Sequence, residues 1–181
     1  VNLFDGVYIL PRLNGQTFTW GVFMYQPPAD VLEKALGIAL IAHAGQKDKA
    51  GAPYILHPLR LMMTADEPDT QVTALLHDVL EDSELTEEDL QQAGIPAHIA
   101  AAVAALTRQI DETYEEFIER IADEPLARKV KILDIQDNLN LKRLKSVNKA
   151  DLLRVTEYHR ALQYLLEAEA EDSLADEDDT Y

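Results

Sequence analysis

From about residue 28 to residue 170, apolar residues recur at the three- and four-residue spacing of a helix face, and almost nowhere do they alternate as in a strand. That pattern excludes sheet-based folds and predicts an all-α domain over 30–170. Val31, Ala35, Leu36, Ile38, Ala39 and Ala42 form the first apolar stripe, with Asp30 placed to cap it. The stretch 47–53 (KDKAGAP) reads as a loop, after which His57-Pro58 opens a short helix. Further helices are predicted over 70–81, 96–108, 114–122, 126–144 and 149–170. Thr86 and Asp89 look like a capping box ahead of a short helix that stops at Gly94.

The two ends read differently. Val7–Leu10 and Thr17–Trp20 flank Asn14-Gly15, a strong hairpin signal, so residues 1–29 form an N-terminal extension with an expected β-hairpin. Alternatively, Met24 marks the gene start and the hairpin is no part of the domain. Residues 171–181 read as an acidic tail.

Charge and composition narrow the function. Among 181 residues there is no cysteine, which removes disulfides, thiolate metal sites and cysteine nucleophiles. No apolar run approaches the roughly 18 residues of a membrane span, and no signal peptide opens the chain, so a soluble, cytoplasmic protein with no membrane partner is expected. A net charge of −17 argues against nucleic acid as a partner. The charge is segregated, however. Residues 61–127 hold 17 acidic groups against two basic, whereas residues 128–160 hold nine basic against four acidic. A carboxylate-rich middle beside a basic segment suits a cation and a polyanion bound together, although solvated helix faces would look the same.

The most informative stretch is Leu75-Leu76-His77-Asp78-Val79-Leu80-Glu81-Asp82. On one helix, His77 and Glu81 are four residues apart, as are Asp78 and Asp82, so all four polar groups project to one side. Clustered carboxylates repel one another unless a cation or a shared proton relieves them. Imidazole with carboxylates suits Mn²⁺, Fe²⁺, Co²⁺ or Zn²⁺; a helix end fraying into solvent is the plainer explanation. His57, aimed by Pro58, and Asp134, an acid within the apolar run 130–135, are further candidates. Asn138 shares a helix face with Asp134, and Arg154 pairs at i,i+4 with Tyr158, where a cation and a phenol can hold a phosphate.

In this order the motifs resemble the HD superfamily of metal-dependent phosphohydrolases, in particular RelA/SpoT-type hydrolase domains and small alarmone hydrolases. The matching runs are 42–46 (AHAGQ), 51–58 (GAPYILHP), 75–82 (LLHDVLED) and 130–134 (VKILD). The resemblance implies an HD-domain helical bundle, with His57, His77, Asp78 and Asp134 as metal ligands, Mn²⁺ as the usual metal, and Glu81 and Asp82 as the pair that activates water. It places Lys49, Asn138, Arg154 and Tyr158 against a nucleotide and its phosphates, and gives His43 and Gln46 a structural role. The implied activity is removal of the 3′-pyrophosphate from (p)ppGpp. The rivals are an HD hydrolase of another nucleotide phosphate and a non-catalytic alarmone-binding module.

Two departures stand out. Asp48 takes the place where many relatives have a base-stacking arginine, which opens the substrate range to (p)ppApp. Relatives often read Asp-Arg-Leu-His/Tyr-Asn near the last ligand, where this chain reads Asp134-Ile135-Gln136-Asp137-Asn138. The added acid at Asp137 suggests a second cation or a different phosphorylated substrate.

Overall fold

The Asp30 cap forms as predicted: its carboxylate accepts the Leu32 N–H at 2.8 Å and opens α1 (Val31–Ala42). This computed structural model describes residues 30–144 and 146–178; the expected N-terminal hairpin and residues 179–181 lie outside them. The loop at 47–53 is drawn together by one antiparallel bridge between Lys47 and Pro53. Within it, the Ala50 and Ala52 N–H groups donate to Asp48 Oδ1 at 2.9 and 2.8 Å. Gly51 turns the chain at φ +87°, a conformation that L side chains rarely adopt.

Next come α2 (Leu56–Thr64), α3 (Pro68–Leu76), the single turn α4 (Val79–Asp82), α5 (Glu87–Gln92) and α6 (Ala97–Leu106). The chain then forms α7 (Tyr114–Ala122), α8 (Pro125–Asn138), a 3-10 turn (Leu141–Arg143) and α9 (Lys149–Asp178). No strand occurs among the described residues, and the fold is the expected all-α bundle. Capping boxes at Thr86/Asp89 and Thr113/Glu116 start α5 and α7.

Burial makes α3 the central helix. It packs against α1, α2, α6 and α8, and six of its nine residues are buried. One apolar cluster joins α1, α3 and α6 through Ile38, Leu75, Leu76 and Val103. The other joins α7, α8 and α9 through Phe117, Ile121, Val130 and Leu165. Met62 and Leu126 pack against both. Since Leu75 is completely buried, Leu75→Ala is expected to lower stability by about 2–5 kcal/mol in urea unfolding, through lost transfer energy plus a cavity.

Three helix limits differ from the sequence pattern. The helix predicted over 70–81 breaks between α3 and α4. His77 Nδ1 donates to the Ala74 carbonyl at 2.8 Å, the acceptor a continuing helix offers to the Asp78 N–H, and Asp78 sits at φ −104°, ψ 0°. α8 stops at Asn138 rather than near residue 144, because Asn140 turns the chain out at ψ 79°. α9 continues to Asp178 rather than ending near residue 170. Its acidic end has a structural partner: the buried Arg128 guanidinium donates to Glu169 at 2.7 Å, to Asp172 at 2.5 Å and to the Ala122 carbonyl. A charge removed from water in this way needs such pairing, and here it ties α9 to α8.

Candidate active site

The site forms where the C-terminal end of α3 meets the start of α2 and the middle of α8. Central packing of α3 delivers His77 and Asp78 into the interior just where the helix breaks. His57, the second residue of α2, and Asp134, in α8, arrive from either side. Ligand atoms of His57, His77 and Asp78 all lie within 4.8 Å of one another. Asp134 Oδ1 stands 3.1 Å from His57 Nε2, and Asp78 Oδ2 stands 2.9 Å from His77 Nε2.

The chemistry of these donors fits a divalent cation. Both imidazoles commit Nδ1 elsewhere: His77 to the Ala74 carbonyl, and His57 to Asp137 Oδ2 at 2.7 Å. In a neutral imidazole, that leaves a lone pair on each Nε2, facing a carboxylate oxygen. His77 Nε2 is buried and has no hydrogen bond of good geometry, although Asp78 is close. Two lone pairs opposite two carboxylates call for positive charge between them. Without a metal, a proton supplies it. Burial pushes the His77 imidazolium pKa down, but Asp78, Asp134 and the Ala74 carbonyl together outweigh it and raise it to about 9. His57, His77, Asp78 and Asp134 can therefore hold a metal ion.

Two residues given no individual role by sequence complete the cluster. The Tyr54 hydroxyl donates to Asp78 Oδ2. The Lys131 ammonium donates to Asp134 Oδ2 at 2.9 Å and lies 5.1 Å from the Phe117 ring centre. Asn138 Nδ2 donates to Asp134 Oδ1 at 2.6 Å. Burial pushes the Asp134 carboxyl up, but Lys131, His57 and His77 outweigh it and hold it well below the usual carboxylate range. The i,i+3 spacing of Lys131 to Asp134 was a usable signal for the lysine. Tyr54 offered none beyond its place in the motif.

Glu81 and Asp82 part company. Glu81 lines the cavity in front of the cluster, whereas Asp82 turns towards His43, with Oδ2 3.4 Å from Nδ1. His43 Nδ1 also lies 3.0 Å from Gln46 Oε1. Burial first, then Asp78 and Asp82, push the Glu81 carboxyl up. Asp82 is raised by burial and Asp78.

The cavity holds about 440 Å³, and its lining includes His57, Asp78, Glu81 and Asp134 together with Lys49, Asn138, Arg154 and Tyr158. Anionic and cationic walls thus meet in one space. Arg154 is anchored by Asp151 Oδ1 at 2.7 Å rather than by Tyr158. Asp48 lines the same wall, with one carboxylate oxygen taken up by its own loop. A second hollow, of about 310 Å³, shares Asp78, Glu81, Arg154 and Tyr158 and adds His77 and Arg108. A separate one of about 420 Å³, between α7 and α9, contains none of the expected site residues. No helix among the described residues is long and apolar enough to cross a membrane.

No family model matches the chain. It is 31% identical over 127 residues to a guanosine-3′,5′-bis(diphosphate) 3′-pyrophosphohydrolase of Aquifex aeolicus, covering 64% of this chain and 18% of that protein. A protein of the same name from Vibrio cholerae is 36% identical over 88 residues, covering 46% of this chain and 12% of the relative. A GTP pyrophosphokinase of Streptomyces coelicolor is 32% identical over 135 residues, covering 66% of this chain and 16% of the relative. The chain therefore spans less than a fifth of the length of these relatives. Among solved structures, a metazoan orthologue of SpoT described as hydrolysing ppGpp superposes with a TM-score of 0.64 at 22% identity. That match covers 78% of this chain and 88% of the other, and it shows a shared fold.

Proposed function

We propose, from the premise that this chain carries an HD-type, RelA/SpoT hydrolase-like domain, that it is a Mn²⁺-dependent hydrolase removing the 3′-pyrophosphate of (p)ppGpp. One observation carries the reading: two Nε2 atoms face two carboxylates, Asp78 and Asp134, which line a cavity whose wall also bears Lys49, Arg154 and Tyr158. His57, His77, Asp78 and Asp134 would hold the cation. When bound, such an ion polarises a phosphoryl oxygen and makes water a better nucleophile near neutral pH.

The remaining work falls to the chain's own side chains. Lys49, Arg154 and Tyr158 bind phosphate oxygens, and Asn138 steadies Asp134 while offering its amide to the nucleotide. Glu81 is the proton acceptor, since it faces the cavity and its raised pKa strengthens it as a base. Water oxygen bonds to the phosphorus attached to O3′, its proton passes to Glu81, and the bond between that phosphorus and O3′ breaks. O3′ then takes up a proton, leaving GDP or GTP and pyrophosphate. Asp82, paired with His43, sustains the local field beside Glu81.

Asp48 favours a second substrate of the same kind. An anion in the wall, where relatives place a base-stacking cation, relaxes the preference for guanine and admits (p)ppApp. A panel of ppGpp, pppGpp, ppApp and 3′-monophosphorylated nucleotides with Mn²⁺ tests the proposal. Pyrophosphate release from the 3′-diphosphorylated members is expected, and release of single phosphates alone would overturn it. Chelation should abolish turnover, with Mn²⁺ restoring it; turnover that survives chelation would remove the metal from the reaction.

A further inference from the structure

Asp137 is held more tightly than a surface acid, yet the reaction above gives it no task. Its Oδ2 lies 2.7 Å from His57 Nδ1. The Arg60 guanidinium grips both oxygens, with Nε 2.8 Å from Oδ1 and Nη2 2.8 Å from Oδ2. The carboxylate is 13% exposed and the His57 ring 6%, so the contact between them is largely shielded from water. His57 and Arg60 stand one turn apart on α2, and Asp137 reaches both from α8. Helix packing, rather than sequence neighbourhood, makes the arrangement.

We propose that Asp137 is a positioning residue that sets the site's affinity for its divalent cation by acting through His57. A carboxylate that accepts the Nδ1 proton fixes the tautomer, directs the Nε2 lone pair into the cluster and strengthens that nitrogen as a donor. Arg60 holds the carboxylate in place through a two-pronged contact. The other imidazole is backed differently, since His77 Nδ1 meets only the neutral Ala74 carbonyl. The His57 side of the site is therefore the one whose donor strength a charged side chain controls. Asp137 is thereby accounted for without a second cation.

This inference rests on the reading of His57 as a metal ligand, and the two are separable by experiment. The metal-stripped chain of 181 residues is titrated with Mn²⁺ by calorimetry, as wild type, Asp137→Asn, Arg60→Gln and His57→Ala. Asp137→Asn is expected to bind Mn²⁺ about 10–100-fold more weakly, because outer partners of ligating histidines contribute on that scale. Arg60→Gln should fall between it and wild type, and it stands in if Asp137→Asn does not fold. Nitrogen NMR of the His57 ring should show a fixed Nδ1–H tautomer in wild type and a mixture in Asp137→Asn, a change that a merely structural role would not produce. Wild-type affinity and an unchanged tautomer in both variants would overturn the role of Asp137. Wild-type affinity in His57→Ala would instead overturn the ligand set, and this inference with it.

Discussion

Asp78→Ala should bind no measurable Mn²⁺ at concentrations that saturate the wild type, and its turnover should fall by about a thousandfold or more. Asp78 supplies the carboxylate facing His77 Nε2, and it carries the Tyr54 hydroxyl bond as well. Once it is removed, Asp134 is the remaining acid of the proposed ligand set, and Lys131 already occupies one of its oxygens. Two imidazoles and a half-neutralised carboxylate retain a divalent ion poorly. The lost electrostatic stabilisation amounts to several kcal/mol, at about 1.4 kcal/mol per tenfold in rate. Asp78 lies at the break between α3 and α4, outside the apolar clusters, so the helical circular dichroism should persist. Asp78→Asn, with shape kept and charge removed, should behave like alanine. Metal content by mass spectrometry, read beside pyrophosphate release, decides the matter: full activity in metal-depleted buffer would sink the site.

Glu81→Gln should separate metal binding from chemistry. The amide keeps the size of the side chain but cannot accept a proton, and Glu81 belongs to the cavity wall rather than to the four expected ligands. kcat is expected to fall by about 10²–10⁴-fold, with KM and Mn²⁺ affinity near their wild-type values. Asp82→Asn should cost less, because Asp82 faces His43 rather than the cavity. Stopped-flow detection of pyrophosphate provides both constants. An unchanged kcat in Glu81→Gln would remove it as the base, and a larger loss in Asp82→Asn would transfer the role to Asp82.

Much of the fold could be read in the sequence because helix formation is local. The caps at Asp30 and Thr86 and the apolar stripes depend on residues within about four positions, and those elements form where expected. The misplaced limits have causes of another kind. At the break after Leu76, one imidazole takes up the Ala74 carbonyl. The continuation of α9 accompanies the contacts of Arg128, more than forty residues away, with Glu169 and Asp172. No periodicity encodes either.

The candidate site divides along the same line. Residue type alone marked His77, Asp78, Glu81 and Asp82, because three acids and an imidazole on an otherwise apolar stretch demand an explanation. Which of them face one another is a property of packing. The central burial of α3 brings His57, from α2, and Asp134, from α8, to the same point. That convergence leaves Glu81 in the cavity wall and Asp82 against His43, a distinction invisible in adjacent residues of like charge. Sequence by itself determined the all-helical class, most helix starts and the inventory of candidate metal-binding side chains, since each follows from local spacing and chemistry. Only the tertiary structure decided which nitrogen of each histidine faces the cluster, that Lys131 and Tyr54 join it, and that Asp137 stands behind His57. Those facts depend on the angles at which α2, α3 and α8 cross, and long-range apolar burial sets such angles.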